Sequence, residues 1–320
     1  MLPKTPVPVN YFSIVLGLAA LGLAWRYGAS IALLPAWPGE TIIAAASLIW
    51  LALMTMYVRK WLKFPTTAQS ELSHPITGGF VSLLPITTLL ICVGIRPHFA
   101  ALSAILLVLG IIGQLGFSAY FTARLWQGTH PAEATTPALY LPTVATNFVS
   151  AIALGDIGLN DFGMLFLGAG IFSWLFIDGA IQQRLRNLAE MPNAVRPALG
   201  IQFAPAIVGC SAYLAVNGGE IDTFVKLLIG YSLLQFLFLA RLFPWIARHG
   251  VSLSYWAFSF GLASMASVGL RVFHEFGNQP FGRLGYLMFV AGTGFIALLT
   301  AGTLWLIMKK IRRTEKTEAE

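Results

Sequence analysis

The sequence predicts an all-α polytopic membrane protein of ten transmembrane helices, and three observations predict it. Of its 320 residues 57% are hydrophobic and only 10% are charged, where a water-soluble domain carries about 25% charged residues. Mean hydropathy is +0.75, and uncharged windows of about 18 residues or more recur along the whole chain. The basic residues between those windows alternate between rich and poor loops, as an even number of crossings requires.

The spans, in order, are approximately 11–25, 41–58, 79–95, 99–122, 138–155, 162–181, 197–216, 224–243, 251–270 and 284–308. The opening MLPKTPVPVN holds one lysine and three prolines. The apolar run behind it has no clear small-x-small cleavage site, so it reads as the first membrane helix after a short tail, residues 1–10. Loops on the side of the N-terminus hold Lys4, Arg59, Lys60, Lys63, Arg124, Arg184, Arg186, Arg196, Arg241, Arg248 and the cluster Lys309, Lys310, Arg312, Arg313 and Lys316, fifteen of the 20 basic residues. Arg26, Arg96, Lys226, Arg271 and Arg283 fall on the other side. Basic loops stay cytoplasmic, so both termini are expected inside, with 309–320 a solvated basic tail that is disordered at its end. All of 1–320 reads as one transmembrane channel-like domain. The net charge of +7 follows from this topology and implies attraction to anionic lipid headgroups, not to nucleic acid.

The odd helices share a feature. They contain SIVLGLAAL, SLLPITTLL, LYLPTVATN, QFAPAIVGC and SFGLASMAS, each with an internal glycine or proline: Gly17, Pro85, Pro142, Pro205 and Gly261. The intervals of 68, 57, 63 and 56 residues describe one helical hairpin repeated five times. Proline removes a backbone hydrogen bond and kinks a helix, and lipid cannot satisfy the freed carbonyl. The odd helices are therefore expected to form an interior ring, kinked at these positions, with the even helices outside. Ser82, Thr87, Thr88, Thr143, Thr146, Asn147, Ser150, Gln202, Ser259, Ser264 and Ser267 all lie on odd helices, and as a set they favour a polar lining of a pore. Taken singly, each serine or threonine is better explained by a bond back to its own helix or to a neighbour. No Asp, Glu, Lys, Arg or His lies within the five odd spans as drawn, so the pore is expected to be neutral. Asp178, the one acid well inside a span, sits six residues before Arg184 and is expected to take a structural ion pair or an interfacial position.

No enzyme and no cofactor are expected. His74, His98, His130, His249 and His274 sit in loops or at helix ends without an HExxH spacing, and no GxSxG elbow or phosphate loop occurs. Cys92 and Cys210 lie in apolar segments as small buried hydrophobes, without a disulfide framework or metal spacing.

The strings YFSIVLGLAALGLAWRY, LWQGTHPAEATTPALYLPTVATNF, GIQFAPAIVGCSAYL, GYSLLQFLFLARLFPW and WAFSFGLASMA resemble the tellurite-resistance and dicarboxylate transporter family, which includes the plant guard-cell slow anion channels. The likeness covers about residues 10–308. It implies ten helices as five hairpins, the inner helices in quasi-fivefold symmetry around a central pore. It further implies a homotrimer with one pore per protomer, a place in the bacterial inner membrane, and passage of chloride and nitrate as in the plant members. In that family a phenylalanine on the ninth helix plugs the pore within a W-A-aromatic-S/T-F motif. Trp256-Ala257-Phe258-Ser259-Phe260 matches it throughout, which makes Phe260 the implied gate. Trp256, Phe260, Ser264 and Ser267 share one helical face, and Gly261 beside the ring is expected to act as a hinge that leaves it room to move. Anion preference would then come from the absence of carboxylates and from half-helix dipoles at the kinks. The alternative within the family is a secondary carrier of dicarboxylates such as malate, or of oxyanions such as tellurite. A carrier would need a fixed cation near the midplane, which these spans lack.

Overall fold

The computed structural model describes residues 6–128 and 130–319, without the side chains of His249 and 313–319. Lys4 and the side chains of Arg313 and Lys316, which entered the charge argument, lie outside the described residues. Ten helices among the described residues are long and apolar enough to cross a membrane: Val9–Ser30, Ala36–Lys63, Thr77–Ile95, Ala100–Trp126, Pro137–Asp156, Asn160–Asn187, Arg196–Val216, Thr223–Ile246, Leu253–Phe276 and Pro280–Arg312. No strand occurs among the described residues. The chain is an all-α polytopic membrane protein.

Odd and even spans differ in what surrounds them. Over its most apolar stretch each odd span is 56–83% buried inside the molecule, and each even span only 22–33%. The first span packs on the third, the third on the fifth, the fifth on the seventh, the seventh on the ninth, and the ninth back on the first. This closes the five odd spans into a ring. Each even span lies against the odd span that precedes it and turns large apolar side chains outward, among them Ile112, Leu165, Phe176, Leu237 and Leu298. Such a belt suits hydrocarbon.

Between helices in lipid the hydrophobic effect drives little, so close packing of small residues does more. A Cβ at Gly39 would lie 3.1 Å from the carbonyl oxygen of Gly22, and a Cβ at Gly285 only 2.5 Å from that of Gly269. These contacts hold the second span on the first and the tenth on the ninth.

The odd spans are not kinked rods. Each opens with a tighter segment on the side of the termini and becomes an α-helix further on. The 3₁₀ segments that open these spans are Val9–Tyr11, Thr77–Ser82, Pro137–Leu139, Arg196–Phe203 and Leu253–Phe258, and in the fifth span a wider π-helical stretch, Leu141–Ala145, follows. Pro85 and Pro205 are the third and second residues of their α-segments, Leu83–Ile95 and Ala204–Val216, where a missing N–H costs no helical bond. Pro142 lies in the π stretch. Gly17 stands within an unbroken α-helix, Phe12–Ser30. A side chain there would collide with Ser259, so Gly17 serves close approach and marks no change of helix type.

Two terminal features differ from expectation. The backbone of the last helix continues to Ala319, because KKIRRTEKTEA has neither glycine nor proline and consists mostly of good helix formers. A short helix, Pro65–Ser73, stands between the second and third spans. Its Glu71 accepts from Lys60 Nζ at 2.7 Å and from the backbone N–H of Val9 at 3.0 Å, which fastens the start of the first span.

Candidate pore and its constriction

Two cavities are stacked inside the ring, each lined by all five odd spans. The first lies toward the side of the termini and holds about 30 Å³, room for one or two water molecules. Leu16, Leu83, Val144, Val208, Trp256 and Phe260 are among its mostly apolar lining. The second, toward the opposite side, is a vestibule of about 610 Å³ whose lining begins one or two turns further along each span, with Ala20, Leu90, Ile152, Ser211 and Ser264. Phe260 borders the small cavity and Ser264, one turn on, borders the vestibule. The passage is thus wide on one side and narrow and greasy from the level of Phe260 downward.

The ninth span sets Phe260 in place through its neighbours. The 3₁₀ segment gives way to α-helix at Ser259, so the WAFSF motif straddles the change of helix type. Ser259 Oγ donates to the Trp256 carbonyl at 2.7 Å and also lies 3.2 Å from the Ser13 carbonyl of the first span. Trp256, 2% exposed, donates its indole N–H to Thr303 Oγ1 of the tenth span at 2.8 Å. Phe258 turns away from the passage and packs over Gly200, stacked on Tyr255. Phe260 is 4% exposed. A Cβ at Gly261 would lie 2.5 Å from Phe203 Cδ1 of the seventh span. Gly261 therefore admits a neighbouring helix rather than opening space beside the Phe260 ring.

Of the polar residues read as pore lining, the structure brings only Ser264 and Ser267 to the passage. Ser82, Thr87 and Thr146 are fully buried and donate to carbonyls three or four residues earlier in their own spans. Asn147 donates to the Thr143 carbonyl, while Thr143 Oγ1 is buried without a partner. Back-bonding satisfies Ser82, Thr87, Thr146 and the Asn147 amide N–H within their own helices.

The vestibule is not neutral. Arg26, Arg96, Arg271 and Asp156 line it. Arg26 makes a two-point pair with Glu40, at 2.6 and 2.8 Å, and donates to the Gly94 carbonyl. Arg96 makes a two-point pair with Asp156. Arg271 has no carboxylate partner among the described residues; its guanidinium lies over the Tyr27 ring, 4.2 Å from the centroid. The helical spacing of Phe260, Ser264, Ser267 and Arg271 was the signal that could have placed Arg271 here.

Asp178 is likewise placed differently. Its Oδ1 accepts from Tyr140 Oη at 2.5 Å and from Gln202 Nε2 at 2.9 Å, which ties the sixth span to the fifth and seventh. Arg184 reaches instead toward the Glu133 carbonyl. The acid faces the inner ring, so its partners are polar groups there rather than a cation on its own helix.

A closed ring of tightly started helices around a stepped passage, inside an apolar belt, defines a membrane channel or transporter. The family model described as SLAC1, voltage-dependent anion channel, matches residues 6–304, and the chain belongs to that family. It is 39% identical over 305 residues to the tellurite resistance protein TehA homolog of Haemophilus influenzae, covering 95% of this chain and 92% of that protein. It is 24% identical to the S-type anion channel SLAH3 of Arabidopsis thaliana over 82% of this chain and 42% of that longer protein. With the S-type anion channel SLAH2 of the same plant it shares 22% identity over 84% of this chain and 53% of the relative.

Proposed function

We propose that the protein is an anion channel for small monovalent anions such as chloride and nitrate, with Phe260 as its gate. The observation that carries this reading is the step in the passage at Phe260: a vestibule of about 610 Å³ above and about 30 Å³ of apolar space below, both lined by the same five spans. An apolar constriction stops ions because stripping their water is costly and the gap dewets. The quasi-fivefold pore, the homotrimer, the bacterial inner membrane and cytoplasmic termini belong to the same proposal. The last rests on the excess of basic residues on the side of the termini. Kinship with a tellurite resistance protein homolog supports a link to tellurite resistance without making tellurite the ion that passes.

The test is flux through reconstituted wild type and Phe260→Ala with chloride, nitrate and malate. The expected outcome is a conductance for chloride and nitrate that rises at least about tenfold in Phe260→Ala, with no counterflow. Saturable malate counterflow in the wild type, with no gain in the variant, would replace the channel with a carrier.

A further inference from the structure

We propose that the vestibule contains a built binding site for one small monovalent anion, formed by Ser264, Ser267 and Arg271, directly above the Phe260 constriction. This deepens the channel reading and rests on it for its physiological meaning. The three side chains follow at intervals of three and four residues, so they stand above one another on a single face of the ninth span. All three line the vestibule.

Their hydrogen-bonding state sets them apart. The other serines bordering this vestibule, Ser30 and Ser211, donate to carbonyls of their own spans. Ser264, although only 5% exposed, donates to no acceptor among the described residues, and neither does Ser267. Both O–H groups are left for a ligand. Arg271 completes the set. Arg26 and Arg96 spend their charge on Glu40 and Asp156, whereas Arg271 is held by an aromatic face. The guanidinium carbon lies over the Tyr27 ring, and the Arg271 N–H groups donate to no acceptor among the described residues. The neighbouring loop approaches through Gly219, where a Cβ would stand 3.5 Å from Arg271 Nη1.

The chemistry selects the ligand class. One uncompensated cation with two neutral donors suits a halide or a planar oxyanion of the nitrate kind. A dicarboxylate would need a second free cation, and the other two arginines of the vestibule are already matched. The remaining vestibule carboxylate, Asp156, is neutralised by Arg96 and does not compete for Arg271. A single charge-assisted contact in a hydrated vestibule binds weakly, which suits an ion that must also leave.

Chloride NMR line broadening on the purified, detergent-solubilised full chain tests the site. Wild type is expected to broaden the free-chloride line, with nitrate displacing chloride. Arg271→Gln should weaken the apparent affinity by about tenfold, as loss of a charge-assisted hydrogen bond implies, and Arg271→Lys should keep it within about threefold. Unchanged broadening in Arg271→Gln would overturn the site. If that variant does not fold, Ser264→Ala/Ser267→Ala decides, and broadening equal to wild type overturns the proposal. Malate displacing chloride as effectively as nitrate would overturn the monovalent class. Phe260→Ala conductance is scored separately. Conductance without Arg271-dependent binding removes this site alone, and Arg271-dependent binding without conductance removes the channel reading alone.

Discussion

At the scale of single residues, the hydrogen-bond partner decides more than the residue type. Asp178 looks like a charge in a membrane helix, yet it acts as the shared acceptor for Tyr140 and Gln202. Asp178→Leu should therefore destabilise by about 1–3 kcal/mol, because it strands the buried Tyr140 hydroxyl and leaves Gln202 Nε2 only its bond to Tyr140 Oη. Asp178→Asn, which keeps an acceptor, should lose less than half as much. Thermal melts in detergent check this, and equal losses in the two variants would mean that the charge itself matters. The same logic explains what was legible around the passage. Phe260 could be found from its motif, and Ser264 and Ser267 from the face they share with it. Ser82, Thr87 and Thr146 could not be told from lining residues, because a serine or threonine that bonds to its own carbonyl has the same letter as one that faces water. Arg26, Arg96, Asp156 and Arg271 were missed for a simpler reason. The sequence-drawn spans end at residues 25, 95, 155 and 270, each one position short of a charge that lines the vestibule: the helices carry Arg26, Asp156 and Arg271 onward, and Arg96 caps the end of its helix. A rule that stops a span at its first charge makes every pore look neutral.

At the scale of elements, alternation of inner and outer helices was readable, because Pro85, Pro142 and Pro205 all fall in odd apolar runs and no even run as drawn carries a proline. What the prolines do was not. Pro85 and Pro205 fall in the first turn of α-segments that follow 3₁₀ turns, and Pro142 in a π stretch, instead of bending continuous helices, and proline fits both arrangements equally well in a sequence. Close packing of paired spans gives a clean test within one helix. Gly285→Val should destabilise by about 1–3 kcal/mol through overpacking on the ninth span. Gly294→Ala, which meets nothing within 4 Å, should be neutral or stabilising by up to about 1 kcal/mol. A melt in which both variants behave alike would contradict the interface. The eighth span, Thr223–Ile246, starts at Asp222, whose carboxylate accepts from Tyr213 Oη at 2.6 Å and from the Val225 N–H at 2.9 Å. These bonds, that of Tyr213 foremost, hold the Asp222 carboxyl below its ordinary value of 3.8. A depressed folded-state value means that the stabilisation is complete above 3.8 and disappears as pH falls through the lower folded value. The melting-temperature gap between wild type and Asp222→Ala should accordingly be constant near neutrality and close only under acid below 3.8. A gap that closes already between pH 6 and 7 would point to another group, since that is roughly where histidine titrates.

At the scale of the whole molecule, five inner spans make one stepped passage, and its two halves do different physical work. The vestibule is wide and lined by charges, with one arginine lacking a carboxylate partner among the described residues, while the segment from Phe260 downward is narrow and mostly apolar. In the proposed reading the gate is the boundary between them, which lies on the ninth span where 3₁₀ turns into α-helix. If the Phe260 ring is the plug, conductance must follow the volume of the side chain at that position and little else. The most direct test is single-channel or proteoliposome chloride flux through wild type, Phe260→Leu, Phe260→Val and Phe260→Ala, with folding of each checked by size-exclusion chromatography. The account predicts flux rising in that order, with Phe260→Ala at least about tenfold above wild type, as removal of an apolar barrier implies. Four well-folded proteins with the same flux would contradict it.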